Sequence, residues 1–172
     1  MCPGGYVVGA ASEEGRVVTN GMSEHARDSG RANSALVVTV DIPDFGEGCL
    51  KGMEFQEKWE EKAFKIGGGN YKAPAQKLED FLSDHPSSDL TGVLPPTYRP
   101  GVTPANLRDC LPKEVGATLA DGLRYWDHKI KGFIHEQGVL TGVETRTSAP
   151  LRILRNDCLE SVNTRGLYPA GE

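Results

Sequence analysis

The run "SALVVTVDI", residues 34–42, constrains this chain more than any other stretch. Val37, Val38, Thr39 and Val40 are consecutive β-branched side chains, which are stiff at χ1 and favour an extended backbone over a helix. Its near-continuous apolar character predicts a strand buried on both faces. Pro43 ends it. The run is strand-sized, far below the ~20 apolar residues that a helix needs to cross a bilayer.

The flanking sequence alternates in character. "YVVGAASEEGRVVTNG" reads as strand, turn and strand, with Val7, Val8, Val17 and Val18 as β-formers and Gly15 in the turn. "MSEHARDSGRAN" is polar and reads as loop. Over residues 53–66, Phe55, Trp59 and Phe64 recur at near-helical spacing, and Glu54–Lys58 and Glu61–Lys65 are i,i+4 pairs in the favourable order. "GGGNYKAP" breaks that helix. Pro74 then suits the first turn of a second one, with Leu78, Phe81 and Leu82 on its face. Residues 83–104 form an irregular loop anchored by Leu94, Tyr98 and Val102, and "PANLRDCLP" a short helix. Val115, Leu119, Leu123, Trp126 and Ile130 make one helical stripe, closed by Gly132. "GVLTGVETRTSAPLRILRN" returns to strand, and Leu167 and Tyr168 read as a short buried strand. The fold class is α+β: a mixed β-sheet body with a helical insertion. Residues 1–45 are β, 46–135 mainly helical and 136–172 β again, the two β parts meeting in one sheet.

Charge narrows the function classes. The 172 residues carry a formal net charge of -5 and no cluster of Lys or Arg, which excludes a nucleic-acid backbone as the main partner. "MCPGGYVVGA" has no charged region followed by an apolar core, so it is no signal peptide. The expectation is a cytoplasmic protein with no membrane partner. Cys2, Cys49, Cys110 and Cys158 lie far apart without a CxxC pair, and are read as reduced thiols, mostly packing residues. His25, His85, His128 and His135 have no ligand spacing, so no metal site is expected.

Three stretches invite chemistry. Cys2 sits in "CPGG", where Gly4 and Gly5 remove side-chain bulk and open a thiol to close approach. The plainer reading is a cysteine that merely starts a strand. "KIGGGNYK" is glycine-rich, but it follows a helix rather than a strand, so it is a helix stop and not a phosphate cradle. In "ETRTSAP", Glu144, Arg146 and Ser148 alternate with Thr145 and Thr147. One face of that strand is either solvated or contacts an anion or ring, with Arg146 as the donor fork.

The blocks "CPGGYVVGAASEEGRVVTNGMSEHARDSGRANSALVVTV", "APAQ", "YRPGV", "VETRTSAPLRILR" and "GLYPAGE" together resemble a family of bacterial FAD-dependent dehydrogenases, flavoproteins of the two-dinucleotide-binding-domain type. The resemblance implies that the chain is a middle piece of a longer parent. An upstream GxGxxG turn would hold the FAD pyrophosphate, and a flavin segment would open with Gly171 and Glu172. It implies that Gly4 and Gly5 lie near the flavin ring, beside Cys2 as a catalytic candidate. It also implies that Arg146, Thr147 and Ser148 line the substrate side, with Arg146 a second catalytic candidate. The cofactor is then FAD, bound by the parent and not by this chain alone, and the main partner is the rest of the FAD-binding domain. The function expected is the substrate or cap domain of an FAD-dependent oxidoreductase acting on a small molecule. A free-standing interaction module sharing the cap fold is the alternative. An excised piece is expected to expose the docking surface that met the FAD domain and to dimerise through it, whereas a monomeric chain without an exposed apolar patch would favour the module.

Overall fold

The computed structural model describes residues 2–171. Strand β1 (Cys2–Pro3) pairs antiparallel with β4 (Ala32–Asn33), enclosing the hairpin of β2 (Gly5–Gly9) and β3 (Thr19–Ser23). The strand–turn–strand reading holds, with Gly15 turning at φ +72°. Val17 and Val18, just before β3, are fully buried. There follow α1 (Ile42–Phe45), α2 (Lys51–Ile66), β5 (Ala73–Lys77), α3 (Leu78–Leu82), β6 (Val102–Pro104), a 3-10 turn at Leu107–Cys110, α4 (Lys113–Lys129) and β7 (Val139–Thr141). The chain is α+β, with its strands in small mixed sheets.

Residues 34–40 depart most from expectation. They form no strand, and Val37 is 56% exposed. Leu36, Val38 and Val40 are half-buried while Val37 and Thr39 face outward, so the segment keeps the two-residue period of a strand without a partner. Asp41 and Asp44 cap α1 reciprocally, with Pro43 in its first turn.

The second correction falls on "APAQ". Pro74 does not open a helix; it sits in β5, the central strand of a three-stranded sheet, parallel to β6 and antiparallel to β7. Proline lacks only a donor, and its carbonyl still accepts from the Gly142 N–H at 3.0 Å. Gln76 is fully buried there. Its amide donates to the His85 carbonyl (2.7 Å) and accepts from the Leu107 N–H (2.8 Å), which ties the 3-10 turn to the sheet. The two β parts therefore do not share one sheet. They are linked by the Thr19 N–H, which donates to the Val143 carbonyl at 2.8 Å.

The core gathers Val17, Ala63, Phe81, Tyr98, Cys110 and Leu123 between the hairpin, α2, β5 and α4. The α2 reading holds, although Glu54 pairs with Lys51 at 2.6 Å rather than with Lys58. The α4 stripe is buried only in part. Gly116, Ala120 and Leu123 face the core, whereas Trp126 and Ile130 are exposed. Tyr98 anchors the 83–104 loop as expected, while Leu94 stays largely exposed.

Candidate functional site

The site grows from one face of α2. Gly52, Gln56 and Glu60 lie at i, i+4 and i+8, one stripe along the helix, and the segment 144–150 runs against it. At Gly52 a Cβ would meet the Pro150 carbonyl oxygen at 3.1 Å, so glycine permits this approach. The Gln56 amide donates to the Thr145 carbonyl at 2.8 Å. Glu60 is fully buried and receives three donors: Thr145 Oγ1 at 2.7 Å, Arg146 Nε at 2.9 Å and Arg146 Nη2 at 2.8 Å. Burial pushes the Glu60 carboxyl up, but the Arg146 and Thr145 hydrogen bonds and the charges of Arg146 and Arg16 outweigh it and hold it below the usual range. The hydrogen bond to Glu60 raises Arg146 in turn.

Arg146 is therefore engaged as a fork, but its partner is a carboxylate of the same chain. Its third nitrogen reaches Ser12 Oγ at 2.9 Å. Consecutive residues 145 and 146 both turn to Glu60, so the alternation expected along a 144–148 strand is absent; no strand forms there. Arg146 lines a shallow cleft of about 490 Å³ with Glu13, Arg16 and Glu57, and Thr147 and Ser148 sit between that cleft and a larger one.

The larger cleft has a volume of about 920 Å³, within the size range of small-molecule pockets. The hairpin, the extended residues 34–40, Phe55 and Trp59 of α2, Leu119 and Leu123 of α4, and residues 138–145 enclose it. Its walls are mainly apolar. Glu144 is the single carboxylate among its described lining residues, and Arg31 and Lys131 stand at other positions on the wall. Half-buried and without a hydrogen-bonding partner among the described residues, Glu144 is raised by burial above the ordinary glutamate range. The sequence reading named Glu144 but did not select it; its apolar neighbours Val143 and Leu140 were the available signal.

The remaining candidates are placed as follows. Gly4 is at φ +66°, and a Cβ there would meet the Arg27 backbone at 2.3 Å. A Cβ on Gly5 would meet the Asn33 side chain at 2.1 Å. The space that these glycines leave is filled by the chain's own 27–33 loop. Cys2 pairs through its backbone with Asn33, and its side chain lies outside the described residues, as does all of Glu172. Gly171 is exposed, at φ +124°. Cys110 packs in the core, where burial pushes its thiol up to about 12, whereas Cys49 and Cys158 are exposed rather than packed. Leu167 and Tyr168 are 43% and 62% exposed, so the short buried strand expected there does not form. Among the described residues no helix is long and apolar enough to cross a membrane.

Residues 1–147 match the model of the family described as FAD-dependent protein, C-terminal domain-like. The chain belongs to that family. The domain is also 57% identical, over 173 residues, to an uncharacterised protein of Clostridium beijerinckii. That match takes in 100% of the chain but 32% of the relative, so the chain spans about a third of the relative's length.

FAD is the cofactor that the family description carries, and the domain's residues can be tested against it. The Gly67–Gly69 run closes the C-terminus of α2, where carbonyls rather than N–H groups face outward, and Thr103 Oγ1 donates to the Gly67 carbonyl at 2.7 Å. A helix C-terminus repels a pyrophosphate. Among the described residues this glycine run is no cradle for the phosphates, and the large cleft is walled mainly by apolar groups.

Proposed function

We propose that this domain forms the substrate-facing wall of an FAD-dependent oxidoreductase, a dehydrogenase in which FAD, held by the rest of the polypeptide, supplies the two-electron chemistry. The observation that carries this reading is the apolar cleft with one isolated carboxylate, Glu144, in a domain of an FAD-dependent family. The substrate class that suits it is a mainly apolar organic molecule with one hydrogen-bond donor. The walls exclude water and hold the apolar body, and Glu144 accepts the donor or moves a proton at its carboxylate oxygen. Cys2, Gly4, Gly5, Gly171 and Glu172 are assigned to the flavin side, and Thr147 and Ser148 to the substrate side. Arg146 acts through Glu60 as a positioning residue: the pair fixes the segment that carries Glu144. The exposed Leu154, Leu167 and Tyr168 support a domain that meets a larger body over a free-standing module.

The test is a flavin titration of this chain beside a full-length family member, read by absorbance and fluorescence. The expected result is a colourless short chain and a yellow long one, with Glu144→Gln in the latter flattening the pH profile of flavin reduction by substrate. Tight FAD binding by the short chain alone would overturn the placement of the phosphate site. An unchanged pH profile would remove Glu144 from the reaction.

A further inference from the structure

We infer that residues 34–40 are a strand-patterned segment without a partner in this domain, and that its partner is a β-strand from the flavin-binding remainder of the parent polypeptide. The first observation is the hydrogen bonding. Among the described residues, no backbone or side-chain hydrogen bond reaches Ser34 through Val40, although β4 before it pairs with β1 and α1 after it is capped. Peptide groups left in this way form a template for strand addition. The second is the period: Leu36, Val38 and Val40 turn one way, toward the protein, and Val37 and Thr39 turn outward, which is the alternation of a strand within a sheet. The third is composition. Between Ser34 and Val40 there is no charge, no proline and no glycine, none of the devices by which natural edges block pairing. Four successive β-branched residues hold the segment ready.

The occupant follows from length and position. About two thirds of the Clostridium beijerinckii relative lies outside the part that this domain matches. A strand on the same polypeptide meets the segment at a high effective concentration, which a separate molecule does not. The segment also lines the large cleft, so pairing would rigidify that part of its wall. The inference rests on this domain sharing a polypeptide with a flavin-binding part, and not on any catalytic role for Glu144.

Hydrogen exchange followed by mass spectrometry tests it, on this chain and on a full-length family member, with the flavin spectrum of each sample recorded. The expected result is near-unprotected amides over residues 35–40 in the short chain. In the long one they should slow by about a hundredfold, an order of protection typical of paired strands. Fast exchange in a yellow full-length protein overturns the pairing and leaves the flavin reading standing. Protection in a colourless full-length protein supports the pairing and removes the flavin reading. Protection in the short chain that grows with its concentration names a second copy as occupant, and concentration-independent protection names an internal partner; either overturns the proposal.

Discussion

Glu60 is a buried charge on a helix, and almost everything near it exists to satisfy it. Removing one member of a buried ion pair leaves the other charged and unpaired. The Arg146 side chain is a third exposed, so water partly replaces it, and Arg146→Ala should cost about 2 kcal/mol in chemical denaturation, below the ~3–5 of a fully buried pair. The double variant Glu60→Leu/Arg146→Met should cost less than that single change, because no charge is then stranded; a double variant as unstable as Arg146→Ala would sink this account. Acid acts on the same pair. Glu60 titrates below its unfolded range, so its contribution is whole above that range and is lost as pH falls through the folded pKa. Glu144 has the opposite sign. Its folded pKa is raised by burial, so its contribution is whole in acid and is lost as pH rises past the ordinary glutamate range. Thermal melts of Glu144→Gln should match the native chain near pH 4 and exceed it at pH 8. A constant offset across that range would mean that Glu144 is already solvated.

At the scale of elements, α2 and the 144–150 segment hold each other by contacts four residues apart. Gln56→Ala removes the donor to the Thr145 carbonyl. The cost should be about 1 kcal/mol, with faster proteolysis confined to residues 144–150. Unchanged proteolysis would show that Glu60 alone holds the segment. The helices were legible because their apolar residues repeat every three or four positions, and burial enforces that period. Pro74 was misread because a proline at N1 and a proline in a strand look alike locally. What decided it was Gly142, distant in sequence, arriving to donate to its carbonyl. Trp126 and Ile130 extend the α4 stripe in sequence, but the small residues Gly116 and Ala120 set which face meets the core.

At the scale of the whole molecule, large apolar side chains stand exposed in three regions, around residues 37–53, 125–130 and 151–168. A domain built this way should bind an apolar dye such as anilinonaphthalene sulfonate when folded alone, and should lose most of that signal within the full-length polypeptide. A native, dye-silent short chain would indicate that these regions are too dispersed or too well covered to act as one apolar patch.

Composition, periodicity and turn chemistry determined by themselves that this chain is α+β, where α2 and α4 lie, where the hairpin turns, and that the glycine run stops a helix. These are local consequences of backbone sterics and of the spacing of apolar groups. Only the tertiary structure decided that Arg146 faces Glu60, that Glu144 is the one carboxylate among the described residues of its cleft, and that, among the described residues, no strand pairs with residues 34–40. Each depends on which distant residue arrives. A side chain's type says what it can bond, and the fold alone says what it meets.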